Sequence, residues 1–184
     1  MNTNAFTPGH QMPVETTPGR VVINNEQPLD TADLREHPVF LAADPEGIVP
    51  NVTLAAAQLD PRDRPHRNEQ RVGIHDSQGV LVGTLNLAQR PDGGATWFRD
   101  VKIESDRQGE RLGVAAYLGL IAVSHDVGRR VRSDPAGLSP NSSGDSPARH
   151  VWESLVRRGV AEIVPGQQDQ HGNPRFISTP PEAK

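Results

Sequence analysis

The sequence predicts an α/β (α+β) domain in which helices pack on a mixed, mainly antiparallel sheet. Three features carry that prediction. Residues 70–103 hold three β-rich runs separated by Gly-containing turns. Residues 110–127 are apolar nearly all round, as a buried helix should be. Residues 147–158 place Ala148, Val151, Trp152, Leu155 and Val156 at i, i+3, i+4, i+7 and i+8, one amphipathic helical face.

The elements follow in order. Residues 1–19 are polar and Pro-rich and read as a flexible tail. The β-branched run 21–23 is a candidate first strand, and 37–43 (HPVFLAA) is a second. Residues 44–68 carry prolines and charges around one apolar patch, 52–57, which suggests a helical turn or two. Runs 71–75 and 80–87 flank Asp76-Ser77-Gln78-Gly79 and read as a hairpin. Asp92-Gly93-Gly94 turns the chain into a strand over 95–103. Gly128 closes the buried helix, and 130–133 is a short strand. Ser146 as N-cap and Pro147 at the first helical position open the amphipathic helix, and Gly159 stops it. Residues 161–164 and 175–178 are the last strands. The order β-β-β-α-β-α-β-β from Gln70 implies a single domain over 20–178, with 179–184 as a C-terminal tail.

Composition narrows the function classes. The chain has 184 residues, with 34% hydrophobic and 4% aromatic content, so one modest core of Val, Leu, Ile and Ala is expected. A net charge of −4 weighs against nucleic-acid binding through bulk positive charge. The count of 0 cysteines excludes disulfides, thiolate catalysis and Cys-based zinc sites. No run approaches the ~18–20 apolar residues of a membrane span, and the N-terminus has no basic region leading into an apolar core. A cytoplasmic location is the expectation. His10, His37, His66, His75, His125, His150 and His171 form no HxxxH or HExxH pair, so no metal site is expected.

The chemistry concentrates at residues 101–113, where a strand ends and a helix begins. Such a junction turns backbone N–H groups outward, and the helix N-terminus adds partial positive charge. The result is an anion site for which a pyrophosphate is the natural ligand. Gly109 and Gly113 allow close backbone approach.

These residues resemble a known family. GCN5-related N-acetyltransferases carry Gln/Arg-x-x-Gly-x-Gly/Ala at this junction, and this chain reads Gln108-Gly109-Glu110-Arg111-Leu112-Gly113. The first and last positions match, and Arg111 replaces the middle Gly. The segment Ala148-Arg149-His150-Val151-Trp152-Glu153-Ser154-Leu155 is similar to the family's Ala-x-x-Leu-Tyr-Glu-x-Leu-Gly helix. The likeness spans 70–178. It implies an acetyltransferase fold and a transferase (acyltransferase) that uses acetyl-CoA as co-substrate, releases coenzyme A and acetylates an amine acceptor, small molecule or protein. The implied pyrophosphate site is the backbone of Gln108, Gly109, Glu110, Arg111, Leu112 and Gly113. The pantetheine arm would pair with the strand edge at Val101, Lys102 and Ile103. Glu104 is the candidate catalytic base, acting directly or through water; its bland account is a solvated turn carboxylate. The family's thiolate-protonating Tyr falls at Trp152, whose indole cannot serve as that acid. Tyr117, the 1 tyrosine, lies inside the first helix, where core packing is its expected role.

Other residues have two accounts each. Ser139, Ser142 and Ser143 belong to a linker or line the thiol end of the coenzyme. Arg129, Arg130, Arg132, Arg157 and Arg158 suit helix C-termini or touch a ribose phosphate. Beside the enzyme stands a second reading, a non-catalytic regulatory member of the same fold, with or without bound coenzyme A. A third is an interaction protein whose Pro-rich N-terminal third wraps a partner. A homodimer is an allowed assembly.

Overall fold

The computed structural model describes residues 21–42, 48–58, 69–89, 96–133, 147–168 and 172–181. In chain order the elements are β1 (Leu29–Asp30), α1 (Pro38–Leu41), β2 (Thr53–Ala56), β3 (Glu69–His75), β4 (Leu81–Gln89), β5 (Thr96–Ile103), a 3₁₀ turn (Ser105–Arg107), α2 (Leu112–Asp126), β6 (Arg130–Ser133), α3 (Pro147–Arg157), β7 (Ala161–Gln168) and β8 (Pro174–Ser178). They form an 8-stranded sheet in the order β1-β2-β3-β4-β5-β6-β8-β7. Every neighbouring pair is antiparallel except β5–β6, which is parallel. This is the mixed, mainly antiparallel sheet that the sequence predicts, with the hairpin β3–β4 and the strand β5 at the expected positions; the turn expected at Asp92-Gly93-Gly94 lies outside the described residues.

The N-terminal third differs from expectation. Residues 21–23 form no strand, although Val21 and Ile23 are buried and the Ile23 carbonyl accepts a bond from Gln70 Nε2 at 2.6 Å. The run beginning at His37 is helical over α1, not extended. His37 caps it, its Nδ1 accepting from the Val39 N–H at 3.3 Å, and Pro38 takes the first helical position. The patch at 52–57 is strand β2 rather than helix. Val52 and Leu54 are buried, and Leu54 pairs with Ile74 of β3. Residues 1–19 and the serines Ser139, Ser142, Ser143 and Ser146 lie outside the described residues.

Helix α2 is the centre of the core. Leu112 through Ala122 are all buried. They share one cluster with Leu54, Val72, Ile74, Leu85 and Leu87 of the sheet and with Trp152 and Leu155 of α3. Gly119 lets the helix lie close, because a Cβ there would meet Thr31 Cγ2 at 2.8 Å. The helix ends as read from sequence. Gly128 takes φ 69°, and the Arg129 N–H returns to the Ser124 carbonyl at 2.7 Å. Gly159 ends α3 in the same way, at φ 73°, with the Val160 N–H on the Leu155 carbonyl at 3.1 Å.

A second glycine sets the spacing of β4 and β5. Gly83 faces Ile103, and a Cβ on it would lie 2.5 Å from the Lys102 carbonyl oxygen and 3.2 Å from Ile103 Cα. Neither backbone atom can move without parting the strands. Gly83→Ala is therefore expected to destabilise the protein by about 1–3 kcal/mol, as overpacking does. Chemical denaturation measures it, and an unchanged midpoint would contradict this close approach.

Candidate functional site

The site is built from the end of β5, the turn after it and the start of α2. Backbone direction in β5 follows from one bond. The Glu104 N–H donates to the Val82 carbonyl at 3.0 Å, so Glu104 faces β4. Main-chain groups alternate along a strand, so Lys102 also faces β4, while Val101 and Ile103 face the opposite edge. On that edge β6 pairs only with the first half of β5, from Thr96↔Arg130 to Arg99↔Ser133. Beyond Arg99, no described strand covers the N–H and C=O of Val101 or the N–H of Ile103. The Ile103 carbonyl accepts a bond from Gln108 Nε2 at 3.3 Å. Of the three strand residues that the resemblance implies, two thus present their main chain. Lys102 is the exception, because its main chain belongs to β4.

The turn then exposes donors. The Arg107 N–H closes the 3₁₀ turn on the Glu104 carbonyl at 3.0 Å. Gln108 is extended, Gly109 takes φ 89° and Arg111 takes φ 61°. The first α2 bond runs from the Ala115 N–H to the Arg111 carbonyl at 3.0 Å, and no side chain caps the helix. Among the described residues, the N–H groups of Gln108, Gly109, Glu110, Leu112, Gly113 and Val114 have no acceptor. Consecutive amides in alternating backbone conformations make an anion-binding concavity, and the helix dipole adds to it.

Each hexad residue has a distinct part. Gly109 supplies its left-handed conformation in open space, since a Cβ there meets nothing within 4 Å. Arg111 adopts the left-handed backbone usual for glycine, which explains how the turn keeps its course without the middle glycine. Gly113 serves packing as well as approach. It is buried, and a Cβ on it would meet Val151 Cγ2 at 3.1 Å, so its missing side chain seats α3 against α2.

Charge around the turn is organised by Arg107. Its Nε and Nη2 reach both oxygens of Glu110 at 2.7 and 2.8 Å, and its Nη1 reaches Asp76 Oδ2 at 3.0 Å. The bonds to Glu110 and Asp76 raise the Arg107 pKa. The Val80 N–H, and then Arg107, hold the Asp76 carboxyl below its ordinary value. The Arg107 hydrogen bonds do the same for Glu110. Glu104 is exposed, and its carboxylate makes no hydrogen bond or ion pair among the described residues. It stands directly after β5.

The remaining candidates fall elsewhere. Trp152 is 3% exposed, stacks on Phe176 at 5.7 Å and meets the edge of Tyr117 at 5.3 Å, so it is a core residue, as is Tyr117. Arg130 bonds Glu162 and the Ser178 carbonyl, and Arg132 bonds Gln167, which ties both to β7 and β8. Arg158 is buried and bonds Ser154 Oγ at 3.4 Å. His150 is exposed, 3.7 Å from Glu153. Among the described residues no group of three His, Cys, Asp or Glu side chains could hold a metal ion. No helix among them is long and apolar enough to cross a membrane.

The left-handed Arg111 supplies a stability test. A non-glycine residue in that region costs roughly 1–2 kcal/mol, against about 0.5–1 kcal/mol of added unfolded-state freedom for glycine. Arg111→Gly is therefore expected to be neutral or stabilising by up to about 1.5 kcal/mol, whereas Arg111→Val loses about 1–2 kcal/mol. Denaturant melts check both, and a reversed order would contradict the assigned backbone.

No family model matches the chain, and no curated protein matches it. Solved structures do. The chain is similar to a spermidine N-acetyltransferase from Vibrio cholerae in complex with CoA and spermine, with a TM-score of 0.44 and 11% identity over 62% of this chain and 67% of that one. It is similar to a putative acyl-CoA N-acyltransferase from Klebsiella pneumoniae, with a TM-score of 0.41 and 19% identity over 67% and 80%. A domain from Methanocaldococcus jannaschii gives a TM-score of 0.45 and 12% identity over 63% and 68%. Likenesses at these values carry no conclusion about family or chemistry.

Proposed function

We propose that this chain is a divergent GCN5-related N-acetyltransferase that transfers an acetyl group from acetyl-CoA to an amine, small molecule or protein, in the cytoplasm. The carrying observation is the β5 edge beyond Arg99, which no described strand covers, beside the amides of Gln108, Gly109, Glu110, Leu112, Gly113 and Val114, which have no acceptor among the described residues. An extended arm that ends in a pyrophosphate suits that pair of features. In this reading the domain spans 20–178, between two tails.

The residues present fit such a ligand. The six amides match a pyrophosphate by charge and by donor count. The N–H and C=O of Val101 and the N–H of Ile103, which no described strand covers, suit the amides of a pantetheine arm. When bound, acetyl-CoA supplies an activated acetyl thioester, whose acetyl carbon bonds to the amine as the thiolate departs. An N–H of Val101 or Ile103 polarises the thioester carbonyl. Glu104 takes the proton from the attacking amine, directly or through water. The thiolate collects its proton from solvent, because Trp152 stands where the family's Tyr would be.

That last residue favours a second reading. Trp152 is locked between Phe176 and Tyr117, so the chain lacks the usual acid and would instead be a regulatory module that holds coenzyme A without turnover.

The test is calorimetric titration with coenzyme A and acetyl-CoA. Binding in the micromolar range is expected for the wild type. Arg111→Asp, which tolerates the left-handed backbone and adds a carboxylate beside the amides, is expected to weaken it at least about tenfold, and Arg111→Asn to stay within about threefold. No wild-type binding would overturn both readings. Binding without coenzyme A release from acetyl-CoA across a panel of amines would leave the second alone.

A further inference from the structure

The bonds of Arg107 suggest a task beyond the turn's own fold. The guanidinium is held at both ends. On one side Asp76 is a rigid acceptor: its Oδ1 takes the Gln78 and Val80 N–H groups, both at 2.9 Å, which leaves Oδ2 for Arg107. The Asp76 side chain is only 11% exposed, and the hairpin loop between β3 and β4 fixes it. On the other side Arg107 grips both oxygens of Glu110. Glu110 lies between Gly109 and Arg111, in the middle of the acceptor-free amides. A carboxylate there is the natural internal competitor for a helix N-terminus, since it carries the right charge and needs only a side-chain rotation to reach the donors. The bidentate pair turns it away.

We propose that Arg107 is a positioning residue that withholds the Glu110 carboxylate from the amides of the turn and so keeps them open for the phosphates of an incoming coenzyme. The inference rests on the coenzyme reading above. It assigns Arg107 no contact with the ligand. It makes Asp76, on a different hairpin, part of the same device, because without its anchor the Arg107–Glu110 pair is free to swing over the turn.

Titration of coenzyme A into wild type, Arg107→Gln, Asp76→Asn, Glu110→Gln and the double variant Arg107→Gln/Glu110→Gln tests it. Arg107→Gln is expected to weaken binding about tenfold, and Asp76→Asn by about threefold. The double variant is expected to return to within about threefold of wild type, because the competing charge is gone. A purely structural or direct ligand-binding role for Arg107 predicts that Glu110→Gln strengthens binding equally with and without Arg107, through loss of one negative charge, whereas the withholding role predicts that the single variant Glu110→Gln binds as wild type does and that the gain comes only once Arg107 is gone. A double variant as weak as Arg107→Gln, in a protein whose wild type binds, would overturn this inference alone. A wild type that binds no coenzyme A would overturn it together with the coenzyme reading. Urea melts of the five proteins show that the rescue is not recovered folding: the double variant should be no more stable than Arg107→Gln.

Discussion

The parallel pairing of β5 with β6 is the constraint on which the site depends. Antiparallel neighbours need only a hairpin, but parallel neighbours need a crossover that returns the chain to the same end of the sheet. Here α2 is that crossover. Its N-terminus must therefore stand at the C-terminal end of β5, the end where ligands gather on α/β sheets. The described pairing runs from Thr96 to Arg99, so the β5 edge beyond it, which no described strand covers, and the uncapped helix start come from one topological step. Neither feature would serve alone: the edge offers donors and acceptors for an extended chain, and the turn offers donors for an anion.

Several residues answer to packing and to the site at once. Gly113 contributes an amide to the turn, yet its missing side chain is what admits Val151 of α3. Gly83 allows β4 and β5 to close up where β5 ends. Trp152, Phe176 and Tyr117 form a stacked and edge-on aromatic cluster that joins α3, β8 and α2. In a chain with only 4% aromatic residues, this cluster accounts for much of the large apolar surface that holds α3 in place. Trp152 is thus a packing residue of the core.

The sheet from β3 onward and both long helices were legible because their signals are local. The hairpin turn, the all-round apolar helix and the two helix-stopping glycines each act within a few residues. The N-terminal third was not legible. Val52 to Ala57 looks helical because three alanines soften the alternation. It is a strand because β3 offers it a partner, with Leu54 opposite Ile74, and long-range pairing overrides weak propensity. The run from His37 looks extended because it is apolar, yet His37 and Pro38 start a helix. At the site, the hexad gave the location of the amides. The backbone alternation that separates Lys102 from Val101 and Ile103 required the register with β4. The bond from Arg107 to Asp76 spans 31 residues, and nothing in the spacing announces it. The Asx turn of Asp76 was visible only as a Gly-containing loop.

The central claim is that the β5 edge beyond Arg99 and the uncapped turn form one binding surface. Backbone amide spectra recorded while coenzyme A is titrated in test it most directly. The account predicts that the largest shifts fall together on Val101, Ile103, Gly109, Leu112 and Gly113, with saturation at a common concentration. Shifts confined to β7 and β8, or to the turn without the strand, would contradict it.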